Sequence, residues 1–272
     1  MQTVRLPSIA VERKISSMAA HNPSAKYRLN PKPRLSANQL ADYLNASSTR
    51  RKRIIQDAKF PRTVIIARYE GARDGIADYL CDLARPTGKL IDVMSSLNTK
   101  ATASESPWTK QDSLLSIEAI EAFHTAYSNN KMGVRKIECR PIAGHQPNVE
   151  IEGTQISVTL NATTHRKDKD GSDAVGGVIL LFSKTETSAN SRVERCRIAA
   201  VVVLLFAQKH LASLGKADSK LCFALDVFGG AAHAAPGTYK QRLNNISAAC
   251  EEVALRWASI EPPDDYDGPP WK

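Results

Sequence analysis

VGGVILLFSK, residues Val175–Lys184, is an apolar run that opens on two glycines and closes on a lysine. Its unbroken Val, Ile and Leu content predicts a strand buried on both faces, not one that alternates between core and water. Downstream, about Ser191 to Ser213 predicts a long helix, apolar all round between Ala199 and Ala207 and therefore buried. KLCFALDVFGG, Lys220–Gly230, follows as a second strand apolar on both faces. Strand, helix and strand in that order, over Val178 to Phe228, form a right-handed crossover whose two strands run parallel. The fold class is therefore α/β (α+β), with a mixed β-sheet core and a buried crossover helix. Asp226 sits inside the second strand, where a buried carboxylate needs a partner, expected to be a backbone or hydroxyl hydrogen bond.

Upstream of this unit, VRKIECRPI, NVEIEG and TQISVTLNA are short β-like runs broken by Gly, Pro and Asn. They predict an antiparallel meander, so that Val134 to Phe228 makes one mixed sheet. HRKDKDGSD, His165–Asp173, places Asp168, Asp170 and Asp173 around Gly171 like half of a calcium loop. It lacks that loop's distal bidentate Glu and reads as a polar hairpin. Glu150 and Glu152 share one face of an alternating strand, as a pair for acid or metal chemistry or as a solvent-facing edge.

Before the meander the chain is helical. In LSANQL, Ser36 and Gln39 form a capping box and Leu35 can staple against Leu40, for a helix running to about Asn45. A second helix starts at Ser47 or Ser48 and stops at Phe60-Pro61. Periodicity returns over Val64–Ala84, Lys89–Leu97 and Ser113–Tyr127, the last with Leu114, Ile117, Ile120 or Ala119, and Phe123 or His124 on its apolar face. The polar, aperiodic stretch NTKATASESPWTKQD is the best boundary between two regions. The resulting organisation is a basic, unstructured arm over 1–34, a helical region over 35–100, an α/β core over 111–260 and a loose, acidic, Pro-rich tail over 261–272.

Composition limits the function. No apolar run is long enough to span a bilayer and the N-terminus is a poor signal peptide, so no membrane role and a cytoplasmic location are expected. The five cysteines form no CxxC pair or zinc-ligand cluster and read as small buried residues. Phosphate-loop, dinucleotide, nucleophile-elbow and zinc-helix motifs are absent from the sequence. The net charge of +9 is lopsided: Met1–Arg68 holds 14 Lys and Arg against 3 Asp and Glu, while the remaining chain holds 23 against 25. That asymmetry fits an anionic partner, or a solvated arm that only aids solubility. Arg50, Arg51, Lys52 and Arg53 crowd the first turns of a helix, where the dipole disfavours cations. With Lys26, Arg28, Lys32, Arg34, Lys59 and Arg62 they are the candidate contacts to a DNA or RNA backbone. Tyr27 and Tyr43 are candidate stacking partners for bases.

The order helix, three strands, helix, strand from Ser113 to Phe228 resembles the core of the restriction-endonuclease-like, PD-(D/E)XK nuclease fold. LSANQLADYLNASSTRRKRII is similar to the helical lead-in of its RecB-type exonuclease branch. The resemblance implies a metal site made by two carboxylates beside a lysine. Carried over, those positions fall on Asn161, Phe182 and Lys184; only the lysine is retained, and Asn161 and Lys184 mark a degenerate catalytic site. No metal ligand set and no cofactor are then expected, and such a protein would serve as a nucleic-acid-binding subunit of a defence or DNA-processing assembly with protein partners. Two alternatives stand beside it: an active Mg²⁺-dependent nuclease with acids relocated to Glu118, Glu121, Glu152 or Asp168, and a scaffold whose arm and tail dock onto other proteins.

Overall fold

The computed structural model describes residues 25–64, 68–142, 144–184 and 188–271. A short strand, β1 (Arg34–Ser36), leads into α1 (Ala37–Asn45) through the expected capping box: Gln39 N donates to the Ser36 hydroxyl and Ser36 N donates to the Gln39 amide oxygen at 2.8 Å. α2 (Ser48–Lys59) starts on the Ser47 cap and ends at Phe60. α3 (Glu70–Cys81) begins later than the sequence periodicity indicated. Tyr69 takes a left-handed backbone (φ 61°) and donates its N–H to Asp112 Oδ1 at 2.8 Å, so the helix cannot extend back through it.

α4 (Thr87–Ala103) and α5 (Pro107–Ser128) run through most of the polar stretch expected to be a boundary. Ser106 caps α5 and Pro107 opens it, where a missing N–H costs nothing. Of the residues expected on the apolar face of α5, Ala119, Ile120 and Phe123 are buried and Ile117 is half-buried, whereas Leu114 is 49% exposed and Ser113 and Ser116 are buried instead. α5 packs along both α4 and α3.

The remaining elements are β2 (Glu138–Arg140), β3 (Val149–Ile151), β4 (Thr154–Ser157), β5 (Ala162–Lys167), β6 (Asp173–Leu181), α6 (Ala189–His210), β7 (Lys216–Asp226), β8 (Ala231–Ala234) and α7 (Lys240–Trp257). Five strands form a mixed sheet in the order β2-β5-β6-β7-β8, with β6 and β7 parallel across the α6 crossover. His165–Asp173 spans the hairpin between β5 and β6. The expectation of a single sheet is corrected. β3 and β4 leave the meander and pair instead with β1, Leu35 lying opposite Ile156 in parallel register. This second sheet puts Leu35, Val149 and Ile156 into the core beneath α1 and α6, which the five-stranded sheet alone would leave uncovered.

The two glycines that open VGGVILLFSK have a packing reason. A Cβ at Gly176 would lie 2.3 Å from the Leu221 carbonyl oxygen, and one at Gly177 would lie 2.8 Å from Leu160. Glycine at 176 lets β6 meet β7 where the ladder register shifts, and glycine at 177 makes room for the Leu160 side chain. Beyond them side chains alternate between two cores. Val175 and Ile179 of β6, with Cys222 and Ala224 of β7, face α6, α7 and α1. Val178 and Leu180, with Phe223 and Leu225, face α3, α4 and α5.

Residues 25–34 of the arm and 261–271 of the tail make specific contacts with each other and with α2; residues 1–24 of the arm lie outside the described residues. Tyr27 is buried, bridges Arg62, and donates its hydroxyl to Asp265 at 2.8 Å. Asp267 accepts from Lys26 N, and Tyr266 packs on Phe60 with ring centroids 5.0 Å apart. Acidic tail residues thus find basic-arm backbone and aromatic partners within the chain. Cys139, Cys196, Cys222 and Cys250 are buried, and burial pushes the last three thiols up to about 12.

Candidate nucleic-acid interface

The two sheets leave a cleft of about 690 Å³ between β1 and β4 on one side and the C-terminal half of β6 on the other. Arg28 comes from the arm, Arg34 from β1 and Arg73 from α3; the first turn of α1 adds Asn38 and Gln39, and Ser157, Thr159 and Asn161 complete the polar wall. No carboxylate occurs among its described lining residues. Three arginines line one concavity at the positive end of a helix dipole, an arrangement suited to phosphate. Local sequence places each group. The capping box fixes the start of α1 beside the cleft, and parallel pairing of β1 with β4 fixes Arg34 opposite Gln155.

Asn161 lies at the edge of this cleft, but its side chain is engaged: Oδ1 accepts from Leu180 N at 2.8 Å, binding the start of β5 to β6. Phe182 stacks on Tyr69 with centroids 5.1 Å apart and planes 10° from parallel, and the Arg73 guanidinium lies 5.5 Å from its ring centroid. Lys184 forms an ion pair with Glu118 of α5 and sits 4.9 Å from the Phe228 ring. Each position of the carried-over metal motif is therefore engaged by neighbouring protein groups. The relocated acids do not gather. Glu118 is on α5, Glu152 accepts from Ser247 at 2.6 Å in the turn between β3 and β4, and Asp168 pairs with Arg166 at the β5–β6 turn. Among the described residues no three His, Cys, Asp or Glu side chains come together to hold a metal ion.

The basic candidates separate into groups. Arg28 and Arg34 line the cleft, and Lys26 and Lys32 are exposed on the arm beside it. Arg50 and Lys52 are exposed on α2. Arg51 donates to the Tyr43 carbonyl at 3.0 Å and faces Glu252 at 3.7 Å, while Arg53 pairs with Asp57 one turn along. Of the four consecutive cations of α2, Arg50, Lys52 and Arg53 are thus exposed and Arg51 is half-buried, with Arg51 and Arg53 beside acidic partners in the chain. Arg62 is exposed and lies over the Tyr27 ring at 5.6 Å.

Lys59 is a correction. Its ammonium is buried and donates to the carbonyls of Trp257 and Ile260, both at 2.8 Å, capping the C-terminal end of α7. Burial lowers its pKa. A lysine so placed is structural and cannot reach phosphate. Tyr27 and Tyr43 are likewise buried and cannot stack on bases; burial, followed by Glu252, pushes the Tyr43 phenol up to about 12. Asp226 has the expected backbone hydrogen bond, from Gly229 N, and beside it an arginine fork. Arg192 Nη2 donates to Oδ1 at 2.7 Å, Nε donates to Oδ2, and Gly229 N adds 2.9 Å to Oδ1.

Arg73 is the cleft residue that sequence reasoning missed. It stands alone in YEGARDG, outside any basic run, and only the docking of α3 against the sheet brings it into the same cleft as Arg34. Among the described residues no helix is long and apolar enough to cross a membrane. Comparison with protein-family models finds no match for this chain, and no curated protein matches it.

Proposed function

We propose that this protein binds the phosphate backbone of DNA or RNA in the cleft between its two sheets, on a nuclease-like core that has given up its metal site, and that it acts as a subunit of a larger defence or DNA-processing assembly. The observation that carries the reading is that Arg28, Arg34 and Arg73 line, with the start of α1, one concavity whose described lining holds no carboxylate. The order α5, β2, β5, β6, α6, β7, with β6 and β7 parallel, supports the nuclease-like part of it. The engagement of Asn161, Phe182 and Lys184 by Leu180, Tyr69 and Glu118 supports loss of catalysis, because two acids would be needed to hold a hard divalent cation there. Arg50 and Lys52 on α2 add phosphate contacts outside the cleft without reading sequence.

Charge reversal tests it. Arg34→Glu should abolish binding of a fluorescent oligonucleotide at low salt, while DNA and RNA incubated with the parent protein and Mg²⁺ or Mn²⁺ stay intact. Undiminished binding by the variant refutes the cleft. Chelator-sensitive cleavage that disappears with Glu118→Ala restores the nuclease reading.

A further inference from the structure

Beside the cleft, at the end of β6, lies a smaller pocket of about 230 Å³ walled by Asn38, Asp42, Leu181, Phe182, Ser183 and Arg195. Resting on the phosphate reading of the cleft, we propose that this pocket receives a single nucleobase whose phosphate is held next door, so that the ligand is single-stranded.

Three observations converge on that assignment. The two cavities are adjacent: Asn38 lines both, and Arg73, which lines the cleft, sits with its guanidinium 5.5 Å from the ring of Phe182, which lines the pocket. Phosphate and base of one nucleotide need adjacent sites of this kind. The pocket is also smaller than the roughly 300–1,000 Å³ of sites for drug-sized ligands, which suits one flat ring system and excludes a base pair.

Its walls carry the matching chemistry. Phe182 is held in place by its stack on Tyr69, whose backbone is tied to Asp112, and offers a base the part of its ring that Tyr69 and Arg73 leave uncovered. Asn38 offers a donor and an acceptor, Asp42 an acceptor and Arg195 donors, the mixture that reads the edge of an unpaired base. Arg195 Nη1 donates to Asp42 Oδ1 at 3.3 Å, which fixes these two polar groups of the wall against each other. Phe182 thus occupies the place of a metal-binding acid and serves as a wall for a base, of the kind proteins use to hold extruded or single-stranded nucleotides.

The test uses the full chain with three fluorescein-labelled probes of equal length: a mixed-sequence single strand, its duplex, and an abasic single strand. The single strand should bind at least about tenfold tighter than either of the others, as loss of one stacked base predicts. Phe182→Leu, which keeps apolar bulk, should remove about that factor for the single strand and leave duplex binding unchanged. Asn38→Ala, at an exposed position that does not threaten folding, should weaken the single strand several-fold. Equal binding of all three probes, with Arg34→Glu still abolishing it, overturns the base pocket and leaves the phosphate cleft standing. Absence of binding to any probe at low salt overturns both.

Discussion

Replacing Lys59 with Met separates a structural lysine from a phosphate ligand. The substitution keeps the aliphatic stem but removes the buried ammonium and its hydrogen bonds to the Trp257, Ala258 and Ile260 carbonyls at 2.8, 3.3 and 2.8 Å. Hydrogen bonds to a charged group contribute about 1.5–3 kcal/mol each, and three sharing one donor do not add. The desolvation that lowers the pKa of Lys59 offsets part of the gain. A net loss of about 2–4 kcal/mol follows, with the last carbonyls of α7 left without a partner. For a domain of this size that is a fall in Tm of roughly 5–15 °C. Urea unfolding followed by far-UV circular dichroism measures it, and oligonucleotide binding below the transition should match the parent. Native stability together with lost binding would refute the reasoning and return Lys59 to the interface.

Two further outcomes concern the core. Arg192→Met leaves the Asp226 carboxylate, 1% exposed, without its fork, and should cost about 3–5 kcal/mol in urea unfolding, whereas Arg192→Met combined with Asp226→Leu should recover much of it; a mild single variant would contradict the pairing. Burial, and then Arg140, holds His165 below its ordinary 6.5, and burial, helped by Arg197, does the same to His233. Below pH 6.5 the unfolded chain takes up these protons before the folded one, so this contribution is full above pH 6.5 and declines as pH falls below it. Unfolding free energy should drop between pH 7.5 and 5.5, and less so in His165→Gln; an identical drop in that variant would rule out His165 as a source.

The crossover of β6, α6 and β7 was legible because long apolar runs leave no other way to be buried, and the capping box of α1 because Ser36 and Gln39 have the required chemistry at the required spacing. β1 was not legible. Three residues, Arg34–Ser36, carry no periodicity, and their parallel pairing with β4 is decided by contacts far along the chain. The helical polar segment of α4 and α5 shows tertiary packing overriding a weak local pattern, with Ser113 and Ser116 of α5 buried. At the site, the sequence supplied Arg28, Arg34 and Asn161 but not Arg73, and counted Lys59 among surface cations because composition does not reveal which lysine meets a helix end.

Salt dependence tests the central claim most directly. Three arginine–phosphate contacts in the cleft contribute a slope of about −2 to log K against log[salt] on a single strand. A fluorescence titration of the parent against Arg28→Gln/Arg34→Gln/Arg73→Gln should therefore find the variant both weaker at every salt concentration and flatter by about 2. Slopes that coincide for the two proteins would place any nucleic acid elsewhere on the molecule and contradict the account.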